Sequence, residues 1–128
     1  MYLRFVIEPL DGRSGRRKGI FAGMGILKRR DDLHPDDFKR YRALAEWFNE
    51  NLDMPSRFSR SSKRSATPRA LSWFRDSATE YIAKTRELAA IFDKYDISVT
   101  MLKTHRPGYI VYESENQIVA EPYSDTET

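Results

Sequence analysis

The last quarter of the chain constrains the fold most. Residues 97–122 alternate apolar and polar side chains in three short runs separated by tight-turn sequences. In the first, over 97–104, Ile97, Val99 and Met101 share one face. Arg106-Pro107-Gly108-Tyr109 then carries the proline and glycine of a type II turn. Residues 109–113 read as the next strand, Ser114 to Asn116 as a turn, and 117–122 as the last strand. Runs joined this closely pair antiparallel, because a parallel crossover needs a dozen or more residues.

The rest of the chain mixes both periods. Residues 2–9 alternate, with Leu3, Phe5 and Ile7 as the better core face, until Pro9 ends the strand. A short helix is expected over 19–29, since Ile20, Met24 and Leu27 fall at i, i+4 and i+7, although Gly23 and Gly25 weaken it. A second helix is expected over 35–52. Pro35 suits its first turn, Asp36 and Asp37 complement its dipole, and Phe38, Tyr41, Leu44, Trp47, Phe48 and Leu52 form an apolar stripe. A strand is expected over 70–74. A third helix then opens with the capping-box pattern Ser77-Ala78-Thr79-Glu80, its core face formed by Ala78, Ile82, Thr85, Ala89 and Phe92.

The order is therefore β-α-α-β-α-β-β-β. It predicts an α+β fold, a mostly antiparallel sheet with helices packed on one face. Residues 1–122 are expected to form a single domain and the acidic tail 123–128 to fray. At 128 residues, 40% of them hydrophobic, the chain can bury a core without staples.

Composition narrows the chemistry. With no cysteine, disulfides, thiolate metal sites and cysteine nucleophiles are excluded. The first residues alternate like a strand rather than a signal sequence, and no apolar run has membrane length, so the cytoplasm is the expected location. Two histidines in no metal-binding spacing give no metal site, and His34 reads as a helix-initiating residue. Asp31, Asp32, Asp36 and Asp37 read as a solvated cluster complementing a helix dipole rather than a cation site.

Charge carries the main functional signal. Residues 1–75 hold 17 Lys/Arg and 9 Asp/Glu, whereas 76–128 hold 5 and 10. Either the two halves present opposite faces, or the fold interleaves them. Two segments concentrate the cations. Gly12 to Gly19 contains Arg13, Arg16, Arg17 and Lys18 among three glycines, between a strand and a helix start, where free amides favour anions. It fits neither a P-loop, since Arg17 stands where a glycine is required, nor a dinucleotide fingerprint, so no cofactor is expected. Residues 54–69 form a long basic loop with Arg57, Arg60, Lys63 and Arg64, read as mobile, in which Phe58 (or Trp73 beyond it) could stack a base. These eight cations are the candidate anion-binding residues. They imply a non-enzymatic accessory module that meets RNA, DNA or an acidic protein partner. Lys28-Arg29-Arg30 adds to the basic half.

Catalysis has one weak candidate pair, His105 and Arg106 before the Pro107-Gly108 turn, which would suit acid–base work on phosphodiesters. That pair defines the alternative reading, a small ribonuclease-like enzyme. A protein-interaction subunit recognising an acidic partner is the third.

Several stretches together look familiar: Ser14-Gly15-Arg16-Arg17, Trp47-Phe48-Asn49-Glu50-Asn51-Leu52, Arg57-Phe58-Ser59-Arg60-Ser61, Trp73-Phe74-Arg75-Asp76-Ser77-Ala78 and Arg106-Pro107-Gly108-Tyr109-Ile110-Val111-Tyr112-Glu113. Over nearly the full chain they resemble a group of short uncharacterised bacterial proteins. The resemblance implies a stand-alone bacterial domain and transfers no catalytic residue. At fold level, the first strand, two helices and final meander also look like small ribonuclease toxins. The strand and helix at 70–95 depart from that pattern, and no catalytic set matches.

Overall fold

The computed structural model describes residues 1–8, 17–52 and 70–128. In chain order the elements are β1 (Tyr2–Ile7), β2 (Lys18–Gly19), α1 (Met24–Lys28), α2 (Pro35–Asn51), β3 (Leu71–Arg75), α3 (Thr79–Lys94), β4 (Val99–Thr104), β5 (Tyr109–Glu113) and β6 (Gln117–Glu121). The six strands form one sheet ordered β2-β1-β3-β6-β5, with β4 also paired to β1. The β1–β2, β1–β3, β3–β6 and β5–β6 ladders are all antiparallel. The fold is α+β in the expected element order, with the two-residue β2 added.

The chain divides into two compact units, one of Met1–Arg4, Pro55–Ile82 and Met101–Thr128, the other of Phe5–Met54 and Ala83–Thr100. The first is built on the β5–β6 hairpin and β3; the expected three-strand meander does not form, because β4 pairs with β1 instead of with β5. Tyr2 pairs with Arg75, Leu71 with Ala120, and Tyr109 with Glu121, with a register shift between Ile110 and Tyr112. Its buried residues include Leu3, Trp73, Phe74, Val111, Ile118, Val119 and Ala120. Burial of the Trp73 ring to 2% exposure makes it a core side chain rather than a stacking surface for a base. Arg75 fastens the β5–β6 turn, donating from Nε to the Ser114 carbonyl (2.9 Å) and from Nη2 to Glu113 (3.0 Å). Residues 106–108 form no hydrogen-bonded turn, so the expected type II turn is replaced by an open connection; Gly108 there adopts φ +130°, a region that favours glycine, and a Cβ would overlap the Glu121 carbonyl.

The second unit packs helical faces. On α2 the buried positions are Asp37, Tyr41, Leu44 and Phe48, spaced i, i+4, i+7 and i+11. This corrects the expected stripe. The buried face is rotated by one residue at the first turn, so Asp37 goes inside and Phe38 is 40% exposed. Phe21 and Trp47 both meet Phe48 edge-on, at 4.8 and 5.1 Å between ring centroids. In this unit α3 buries Thr85, Leu88, Ile91 and Phe92.

Two boundaries also move. The helix expected over 19–29 shrinks to Met24–Lys28 because the chain before it extends β1 instead. Val6 pairs with Gly19, Ile7 pairs with Lys18, and the Ile20 amide donates to the Phe5 carbonyl, so these backbone groups are already used by the sheet. At α3 the first helical bond runs from the Ile82 amide to the Ala78 carbonyl, so Ala78, not Ser77, holds the cap position. Its other end closes in a Schellman motif. Asp96 takes φ 62°, its amide bonds the Asp93 carbonyl, and the Ile97 amide bonds the Phe92 carbonyl.

Two substitutions test this packing. Leu88 is fully buried, so Leu88→Ala should cost about 2–5 kcal/mol in urea unfolding. Gly108→Ala must place a side chain at positive φ against backbone and should cost more than ~1 kcal/mol, with thermal denaturation as the readout.

Candidate functional site

The candidate anion-binding residues fall into two groups. Arg13, Arg16, Arg57, Arg60, Lys63 and Arg64 lie outside the described residues. Arg17 and Lys18 are described, and both belong to the base of the hairpin formed by β1 and β2. Lys18 sits exposed on β2, opposite Ile7. Just beyond these pairs, Glu8 and Arg17 form an ion pair at 2.8 Å, with the Arg17 side chain only 16% exposed. Thr100 Oγ1 also lies 3.5 Å from the same Glu8 oxygen. Arg17 is therefore already engaged by a carboxylate of its own hairpin.

Opposite charges meet in this way across the described chain. Arg30 pairs with Asp32, Lys94 with Asp37, Arg75 with Glu113 and Arg106 with Asp125. The described residues hold 15 Lys/Arg and 17 Asp/Glu. The excess of positive charge thus lies in residues 9–16 and 53–69, which hold 7 Lys/Arg and 2 Asp/Glu.

His105 and Arg106 lie exposed between β4 and β5. The Arg106 guanidinium is 3.5 Å from Asp125 and stacks over the Tyr123 ring at 5.2 Å. The tail segment is itself tied down, since Thr126 Oγ1 accepts from the Tyr123 amide (3.0 Å) and contacts the Arg106 carbonyl (3.4 Å). Arg106 is spoken for by the tail. No cluster of three or more metal-ligating side chains occurs among the described residues.

The densest polar constellation is one that sequence reasoning missed. It joins the start of α2, the end of α3 and the connection that precedes α2. His34 is the N-cap of α2, and its Nδ1 accepts from the Asp36 amide at 3.2 Å. The His34 amide donates to Tyr95 Oη (2.8 Å), and Tyr95 Oη donates to Asp37 Oδ2 (2.6 Å). Lys94 Nζ reaches the same oxygen at 2.8 Å. Arg30 braces the far side of Tyr95, donating to its carbonyl (3.1 Å), packing over its ring (5.3 Å) and forking onto both oxygens of Asp32. In a capping box the third helical residue reaches back to the cap amide. Here Asp37 does so through the Tyr95 hydroxyl.

The electrostatics follow from these contacts. Hydrogen bonds from Lys94 and Tyr95 hold the Asp37 carboxyl below the usual carboxylate range, against the opposing effect of burial. The same contact pushes Lys94 up, and the hydrogen bond to Asp37 together with burial raises Tyr95. Asp32 is lowered and Arg30 raised by their mutual hydrogen bond. Asp37 and Lys94 both stay charged at neutral pH, so their pair fastens α2 to α3. Of the four aspartates read as a solvated cluster, Asp37 is instead buried, with its side chain 7% exposed, and ion-paired. The available signal was its place on the 37, 41, 44, 48 stripe.

What emerges is a small α+β protein whose densest polar cluster, among the described residues, is a structural tie. No protein-family model, curated protein or solved structure matches the chain. No helix among the described residues is long and apolar enough to cross a membrane.

The tie predicts a signed pH dependence. Because the folded pKa of Asp37 is depressed, its contribution is complete above the unfolded value of about 3.9 and is lost as pH falls through the lower folded value. Lys94 and Tyr95 are raised, so their contributions hold below their ordinary values and fade in alkali. Asp37→Asn should lower the melting temperature at neutral pH, with the gap to wild type closing in strong acid. Tyr95→Phe should lower it at neutral pH too, and calorimetry across pH measures both.

Proposed function

We propose that this chain is a non-enzymatic accessory or regulatory module that binds nucleic acid through residues 9–16 and 53–69. One observation carries the reading. The described residues hold 15 Lys/Arg against 17 Asp/Glu, several of them in ion pairs, while these two segments carry a net charge of +5. Arg13, Arg16, Arg57, Arg60, Lys63 and Arg64 are the phosphate contacts in this reading. Arginine suits the role because its planar fork matches phosphate oxygens bidentately. Contacts of this kind position the partner and read no sequence.

The catalytic alternative at His105 and Arg106 gains nothing from the geometry, where the arginine is held by Asp125. An acidic protein partner uses the same chemistry as a phosphate chain, and the test separates the two.

A mobility-shift assay with single-stranded RNA and duplex DNA should show binding at low salt that weakens steeply as salt rises. Replacing Arg57, Arg60, Lys63 and Arg64 together by alanine should flatten the log–log salt slope by roughly 0.7 per lost contact on a single strand. Absence of any shift at low salt rejects the nucleic-acid reading. A pull-down that survives nuclease treatment would assign the segments to an acidic protein instead.

A further inference from the structure

We infer that His34 is a proton-operated cap: its neutral imidazole holds the first turn of α2, and protonation transfers it from the Asp36 amide to the Asp36 carboxylate. The argument starts from the atom that makes the contact. Nδ1 accepts a hydrogen bond from the Asp36 amide at 3.2 Å. Accepting requires a lone pair on Nδ1, which fixes the proton of the neutral ring on Nε2. An imidazolium carries hydrogens on both nitrogens and accepts from nothing, so the cap exists only while His34 is neutral. Pro35 at the first helical position has no N–H. The Asp36 amide is therefore the first donor that needs a partner, and the imidazole is what supplies it.

Protonation has a ready alternative geometry. Asp36 Oδ2 already lies 3.7 Å from Nδ1, and the His34 side chain is 63% exposed, so solvent protons reach it. The charged groups around it are Asp36 and Asp37 on α2, Lys94 and Tyr95 at the end of α3, and, beyond Tyr95, Arg30 with Asp32. Two carboxylates against one ammonium in the nearest shell make a cation at His34 tolerable there despite the positive helix end. The ring therefore stays in place and changes partner. The His34 backbone amide remains on Tyr95 Oη throughout, so the tie to α3 persists while the cap is released.

The test is nitrogen and amide-proton NMR on the intact chain. At about pH 8 the His34 ring should show the Nε2–H tautomer, and the Asp36 amide proton should be shifted downfield by its hydrogen bond. Lowering the pH should move that amide proton upfield with the same midpoint as the His34 ring. His105 serves as an internal control whose titration should leave Asp36 unmoved. In His34→Asn, which caps without titrating, the step at Asp36 that tracks the ring should vanish. The proposal is overturned if the neutral ring carries its proton on Nδ1, or if the Asp36 amide responds only in the carboxylate range.

Discussion

A carboxylate taken out of water must be compensated, and Asp37 is where this chain meets that requirement. Lys94 supplies the charge and Tyr95 supplies a directed hydrogen bond, both on one oxygen. Breaking either side leaves an uncompensated buried charge, which costs far more than an exposed pair contributes. The same Tyr95 hydroxyl takes the His34 amide, so one phenol serves the N-terminus of α2 and the C-terminus of α3 together. Arg30 holds Tyr95 from behind through its carbonyl and its ring face. Two stretches some sixty residues apart in sequence, 30–37 and 94–95, are thus fixed by one short relay.

Charge pairing shapes the rest of the molecule in the same way. Glu8 closes onto Arg17 at the hairpin base, Arg75 onto Glu113 at the β5–β6 turn, and Asp125 onto Arg106 beside the β4–β5 connection. Each pair sits where a connection leaves the sheet or where the tail folds back. Exposed pairs contribute little stability. Their larger consequence is electrostatic, since paired cations present a weaker field to a distant polyanion. That is why the functional reading rests on cations in 9–16 and 53–69 rather than on the overall charge.

Much of the architecture was legible in the residues. Residues 109–113 were read as a strand and are one. The α2 and α3 helices follow their apolar spacing, and Pro35 marks the start of α2. The misreadings share a cause. Phe38 outranked Asp37 as a core residue on hydrophobicity alone, and Ser77 outranked Ala78 as a cap on propensity alone. Residues 18–20 carried a helical spacing, yet their backbone amides and carbonyls went to β1. For Asp37 and for residues 18–20, partners elsewhere in the chain decided between two locally acceptable conformations.

The sequence by itself determined the element types and their order, because side-chain period and turn chemistry act over a few residues. It also determined where unbalanced positive charge lies along the chain, since that is a count. Only the tertiary structure decided that Asp37 turns inward, that His34 caps with Nδ1, and that Tyr95 joins them. Those outcomes depend on Lys94 and Tyr95 arriving beside α2 from some sixty residues away. No local pattern encodes that meeting, because the energy that selects it exists only once both helices are packed.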